Sequence, residues 1–339
     1  MKLQVLYDLA RFFPLMTWSG NAAVLALAIS LFTAGFGGVN WSLALMAVAI
    51  TILLQYVAHP INDVMDFDID VKANIGGTNR RKVLIAGLAN ARELKGLSVG
   101  ILALCAVLAL PIIAVLPYAL LFVTIGFCGV VSYNLPPLML SRHPFSEVAV
   151  SFVMVVTQIV GLVYIATGGL LVPLAVVFAV PYALMVASFH CSYFAMDFLT
   201  DLVGNKNSTV VSYPKTSWCS LYPFLGVPVV VFVMVYTWNT VPMYAAFFLG
   251  AGFIALYILG QNVDQLWQGF YRTHGGKVLE QMFDNLAKGI PGVVPIPAAT
   301  MEVWNKTSTA IRVNLANQMI TAIAAGLLAA GTLVVAAVI

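Results

Sequence analysis

The last 27 residues, 313-VNLANQMITAIAAGLLAAGTLVVAAVI-339, carry no charged side chain. A helix of about 20 apolar residues crosses a hydrocarbon core of about 30 Å, so this run is long enough to span a membrane. Runs of the same kind recur at 15–36, 41–60, 96–116, 117–135, 145–168, 172–197, 217–237 and 242–262. Pro111 and Pro117 interrupt the third and fourth. The composition agrees, with 61% apolar residues, 9% charged residues and a mean hydropathy of +0.97. These values lie outside soluble globular usage. The expectation is an all-α polytopic membrane helix bundle with about nine transmembrane helices, forming one domain over 1–339. Strands of about ten alternating residues are absent, which argues against a β-barrel.

The opening segment 1-MKLQVLYDLARFFPLMTW-18 has charges at Asp8 and Arg11 and no small-residue cleavage site. It reads as an interfacial lead into the first span rather than a signal peptide. The cysteines, Cys105, Cys128, Cys191 and Cys219, show no metal-type spacing and read as packing residues.

The distribution of basic charge fixes an orientation. With nine spans and a cytoplasmic N-terminus, all 16 Lys and Arg residues fall in inner segments and the outer loops have none. The positive-inside rule therefore predicts a cytoplasmic N-terminus and an external C-terminus, in the cell membrane. The acidic residues lie in the same inner segments or at adjoining span ends. A channel or carrier needs polar groups at mid-membrane depth or on both faces. Here the chemistry gathers on the cytoplasmic side, at the active-site loops 62–95 and 197–216. No nucleic-acid partner is expected. The segment 263–308 is mixed in character, and Val278, Leu279, Met282, Leu286 and Ile290 share a helical stripe, as in an amphipathic surface helix.

The stretch 62-NDVMDFDID-70 holds four of the chain's 13 acidic residues. At about 100° per residue, Asp63, Asp66 and Asp70 share one helical face and Asp68 falls off it. Clustered carboxylates repel one another unless cations bind. Mg²⁺ fits, because it takes oxygen ligands and bridges carboxylates to substrate phosphates. Asn62 adds a neutral oxygen. A second pair, Asp197 and Asp201, shares a face at i, i+4 after the sixth span. Two acidic patches on one side of a membrane suggest two Mg²⁺ ions clamping a diphosphate. Arg80, Arg81, Lys82, Arg142 and Lys206 could balance that diphosphate, or could be ordinary flanking charge of the inner loops.

N-D-x-x-D-x-x-x-D after the second span and D-x-x-x-D after the sixth resemble the UbiA superfamily of intramembrane prenyltransferases over roughly 15–240. The stretch 76-GGTNRRKVLIAGLANARELKG-96 is similar to the basic segment after that family's first motif. The stretch 133-YNLPPLMLSR-142 is similar to its Y-x-x-P-P-L-x-L-K-R segment, and 201-DLVGNKNST-209 to its D-x-x-x-G-x-K-S-T ending. The resemblance implies Mg²⁺-dependent transfer of a polyprenyl group from its diphosphate to an acceptor, often an aromatic quinone precursor. It assigns Asn62, Asp63, Asp66, Asp70, Asp197 and Asp201 to metal binding, and Tyr133 and Lys206 to the approach of the diphosphate; Asn62, Arg80, Arg81 and Arg142 join them as substrate-binding candidates from their charge and position. The 76–96 segment leans towards the naphthoate, menaquinone-type branch. His59 stands where the family has Asn, Ser141 where it has Lys, and 192-SYFAMD-197 lacks the family's upstream Asn. These departures keep open a membrane terpene cyclase, or transfer to a non-aromatic lipid or carotenoid acceptor.

In such an enzyme the Asp residues 66, 70, 197 and 201 carry the catalytic load by stabilising charge on the leaving diphosphate. The allylic cation needs a dry cavity, and aromatic faces can stabilise it; Phe67, Tyr133, Phe189, Tyr193, Phe194 and Phe198 are candidates. His59, His190 and Glu147 are candidates for acceptor contact or proton removal.

Overall fold

A computed structural model describes residues 18–72, 83–204, 206–288 and 296–339. Among the described residues there is no strand. The helices are α1 (Trp18–Gly38), α2 (Trp41–Met65), α3 (Phe67–Lys72), α4 (Ala91–Val115), α5 (Ala119–Asn134), α6 (Ser146–Ala166), α7 (Pro173–Val203), α8 (Thr209–Ser212), α9 (Trp218–Tyr236), α10 (Val241–Phe270), α11 (Gly276–Ala287) and α12 (Ala298–Val338). Eight helical segments are long and apolar enough to cross a membrane, and α5 is a shorter apolar helix. Each of the nine apolar runs thus forms its own helix. Pro111 is accommodated inside α4, and the break near Pro117 separates α4 from α5.

The helices close into a bundle. α2 packs on α4, α1 on α6 and α12, and α12 on α10, which also packs on α9. α7 is the most buried span and touches α1, α6, α9, α10 and α12. At one end the α1–α2 and α6–α7 turns meet, where the Asn40 N–H donates to the Ala166 carbonyl at 2.8 Å. The Asp-bearing ends of α2 and α7 lie at the other.

Helices in lipid associate through close packing rather than a hydrophobic drive, so small residues matter at their seams. On α10, a Cβ at Gly260 would sit 2.3 Å from the Cys219 carbonyl oxygen on α9. One turn later, buried Asp264 accepts the backbone N–H groups of Cys219 at 3.1 Å and Ser220 at 2.9 Å. It also accepts the Ser220 hydroxyl at 2.7 Å. The first turn of a helix has N–H groups without intrahelical partners. Asp264 satisfies two of those in α9 from a neighbouring helix. Earlier on α10, a Cβ at Gly252 would meet Ala325 of α12 and Met185 of α7 at 2.7 and 2.8 Å.

The polar stretch after the eighth span is largely helical. α10 runs through a π-helical turn (Tyr271–Gly275) into α11, and α12 starts at Ala298, well before its apolar part. On α11, Val278 and Met282 are buried against the core while Lys277, Glu280 and Asp284 are exposed. Leu279 is partly buried, and Ile290 lies outside the described residues. The cysteines are free thiols, buried at 105, 191 and 219 and exposed at 128.

Candidate active site

The end of α2 shapes the first acidic cluster. Asp66 leaves helical geometry (φ −98°, ψ 3°), so α2 stops at Met65 and α3 begins at Phe67. The hydrogen-bond ladder continues across this break. The Asp66 N–H donates to the Asn62 carbonyl and the Asp70 N–H to the Asp66 carbonyl, both at 2.8 Å. Register is therefore kept: Asp63, Asp66 and Asp70 are buried on one side, while Asp68 is exposed. His59 is half-buried one turn before Asp63.

Asp66 is the hub. The Asn62 side-chain amide donates to its Oδ2 at 3.0 Å, and Arg142 Nη2 donates to its Oδ1 at 3.0 Å. The same Arg142 nitrogen reaches the Met65 carbonyl at 3.0 Å, and Lys206 Nζ is in direct contact with Asp66 Oδ2. Burial alone would raise the Asp66 carboxyl. The Lys206 ammonium and the Arg142 guanidinium outweigh it and hold the group below the ordinary carboxylate range.

Lys206 links this cluster to the second. It sits in the loop after α7, and its N–H donates to the Asp201 carbonyl at 2.8 Å. Burial favours the neutral amine, yet the charges of Asp201, Asp66 and Asp70 outweigh it and raise its affinity for the proton. One ammonium thus stands among carboxylates from both ends of the site. Asp201 is buried, and Asp197, one turn earlier on α7, is half-buried.

The donors suit a hard cation: carboxylates and an amide oxygen, all oxygen. Among the described residues no three His, Cys, Asp or Glu side chains converge closely enough to enclose an ion by themselves.

Other candidates fall differently. Tyr133, at the end of α5, is within electrostatic reach of Lys206, Asp201, Tyr193 and Asp66. Phe198 is fully buried in a ring cluster with Trp267, Tyr271 and Trp304, at centroid distances of 5.3, 6.1 and 6.3 Å. That makes it packing between α7, α10 and α12. His190 lies against Phe189 and Trp18, at 5.2 and 6.4 Å. Arg80, Arg81 and Lys82 lie outside the described residues.

Glu147 was legible only as a carboxylate at a span end. It is 1% exposed and held by hydroxyls. Thr209 Oγ1 lies 2.8 and 2.7 Å from its two oxygens, and the Tyr222 hydroxyl donates at 2.9 Å. Nothing in the local sequence signals that partnership, because its members are 62 and 75 residues away.

Residues 22–273 match the UbiA prenyltransferase family. The chain belongs to that family. This UbiA-family prenyltransferase is thereby an integral membrane protein. Its fold is similar to that of a UbiA homologue from Archaeoglobus fulgidus bound to Cd²⁺, with 15% identity, a TM-score of 0.57, and coverage of 95% of this chain and 98% of that one. A UbiA homologue from Archaeoglobus fulgidus bound to GPP and Mg²⁺ matches with 16% identity, a TM-score of 0.50, and coverage of 95% of this chain and 99% of that one. No curated protein matches the chain of this prenyltransferase.

Proposed function

We propose that this prenyltransferase moves a polyprenyl group from an isoprenoid diphosphate to an aromatic quinone-precursor acceptor, using Mg²⁺, at the cytoplasmic face of the cell membrane. One observation carries the site assignment: Lys206 contacts Asp66 and is held among Asp70 and Asp201, so both acidic clusters share one cation. The solved Archaeoglobus fulgidus relative with GPP and Mg²⁺ supports the choice of ligand class. The whole chain acts as one transmembrane domain.

In this reading Asn62, Asp63, Asp66, Asp70, Asp197 and Asp201 would hold two Mg²⁺ ions. Mg²⁺ held there would supply positive charge that favours the diphosphate as a leaving group. Lys206 and Arg142, with Arg80 and Arg81, bind the diphosphate and stabilise the charge it gains on leaving. Asn62 orients the Asp66 carboxylate through its amide. Tyr133 faces the diphosphate end. The apolar tail lies between helices, where water is excluded and the allylic cation survives long enough to meet the acceptor. His59 takes the proton that the acceptor releases. The 76–96 segment favours a naphthoate-type acceptor.

The test uses purified protein in detergent with Mg²⁺, geranyl diphosphate and a panel of aromatic, glycerol-phosphate and carotenoid acceptors. Prenylated aromatic product is expected. A cyclic hydrocarbon made without any acceptor would establish a terpene cyclase instead. Prenylation confined to a lipid or carotenoid would overturn the aromatic assignment alone. Asp66→Ala and Asp197→Ala should each remove Mg²⁺-dependent turnover while the protein stays folded, and near-normal rates in both would sink the two-cluster site.

A further inference from the structure

We propose that Glu147 is a positioning residue that fixes the loop delivering Lys206 to the diphosphate, acting through the Thr209 hydroxyl. The inference rests on the diphosphate site proposed above.

The loop between α7 and α8 is short and carries Lys206 near its middle. One attachment is the Lys206 N–H on the Asp201 carbonyl. A second is the Lys206 ammonium on Asp66, and a third is Thr209, the first residue of α8, which is fully buried. Its hydroxyl oxygen accepts the Phe145 N–H at 2.7 Å, so its own hydrogen is free to go to Glu147. The Tyr222 hydroxyl of α9 donates to the same carboxylate. The chain of bonds therefore runs in one direction, from Phe145 N–H to Thr209 to Glu147, with Tyr222 arriving from the other side. A carboxylate suits this place because it accepts at two oxygens and donates nothing.

The segment holding Glu147 also reaches the first acidic cluster. Arg142, five residues earlier, binds Asp66 and the Met65 carbonyl. Between them Phe145 is left-handed (φ 64°), as is Met139 (φ 41°). Non-glycine residues hold that conformation when their surroundings impose it, and the Phe145–Thr209 bond is such a constraint. Residues 139–148 thus form a strut that touches Asp66 at one end and the Lys206 loop at the other. With the strut in place, Lys206 arrives at a fixed distance from Asp66. Without the Glu147–Thr209 link, the loop must spend binding energy on ordering before its ammonium can serve the diphosphate.

The test measures affinity for inorganic diphosphate with Mg²⁺ by calorimetry, on purified full-length protein, alongside thermal stability. Thr209→Val removes the hydroxyl at nearly constant volume and should weaken binding about tenfold. Thr209→Ser keeps the hydroxyl and should bind as wild type. Glu147→Gln offers one acceptor oxygen to two hydroxyl donors and should fall between. Lys206→Ala should weaken binding, and adding Thr209→Val to it should cost little more, since Thr209 acts through Lys206. Additive losses, or a lowered melting temperature with unchanged affinity in Thr209→Val and Glu147→Gln, would overturn the positioning role. If wild type itself does not bind Mg²⁺–diphosphate, the site assignment falls first, and that result is distinct from both.

Discussion

Asp66 gathers Asn62, Arg142 and Lys206 around one carboxylate, while Asp68, two residues on, faces outward. The two should respond oppositely to mutation. Asp68→Ala is expected to keep turnover within about twofold of wild type, as exposed surface changes away from special features usually cost under 0.5 kcal/mol. Asp66→Ala is expected to abolish turnover, and the pair is checked by steady-state product formation. Lys206→Ala removes a charge-assisted contact of about 1.5–3 kcal/mol, so the KM for prenyl diphosphate should rise roughly 10- to 100-fold. The stripe of Asp63, Asp66 and Asp70 was legible because helical spacing alone puts those positions on one side. The Lys206–Asp66 contact joins residues 140 positions apart, and no local pattern encodes that. Among basic residues charge alone offered several candidates, and the motif resemblance marked Lys206. Packing brings Arg142 and Lys206 to the carboxylate.

At the scale of the helices, hydropathy located all nine runs, because a membrane demands length and apolarity from each. It stopped short where helices leave the apolar zone. The final apolar run begins at 313, whereas α12 begins at Ala298, since several polar helical turns look like a loop to a hydropathy window. The seam of α9 and α10 was also hidden. Gly260→Ala would push a methyl group into the Cys219 carbonyl, which is backbone and cannot rotate away. A loss of about 1–3 kcal/mol is expected, seen as a lower melting temperature in detergent. Asp264→Ala strips the two N–H acceptors from the start of α9 and should cost about 1–2 kcal/mol in the same assay. Neither change touches Asp66 or Asp201, so the KM for diphosphate of the folded fraction should hold.

For the whole molecule, the proposed orientation puts the α6–α7 turn and α11 on opposite sides of the membrane. Leu171 and Glu280 are exposed at those two places. In intact cells a membrane-impermeant maleimide should label Leu171→Cys and spare Glu280→Cys until the membrane is opened; the reverse pattern would invert the topology. Chelation by EDTA should stop turnover, and added Mg²⁺ should restore it. The close approach of α10 to its neighbours bears on the protein's history. Every single-base change of a glycine codon that alters the residue adds at least one side-chain atom or ends the chain. At Gly260 that first atom meets backbone, and at Gly252 it meets two other helices. Those two positions must pass between generations almost untouched, the keel to which variation elsewhere along α10 is fitted.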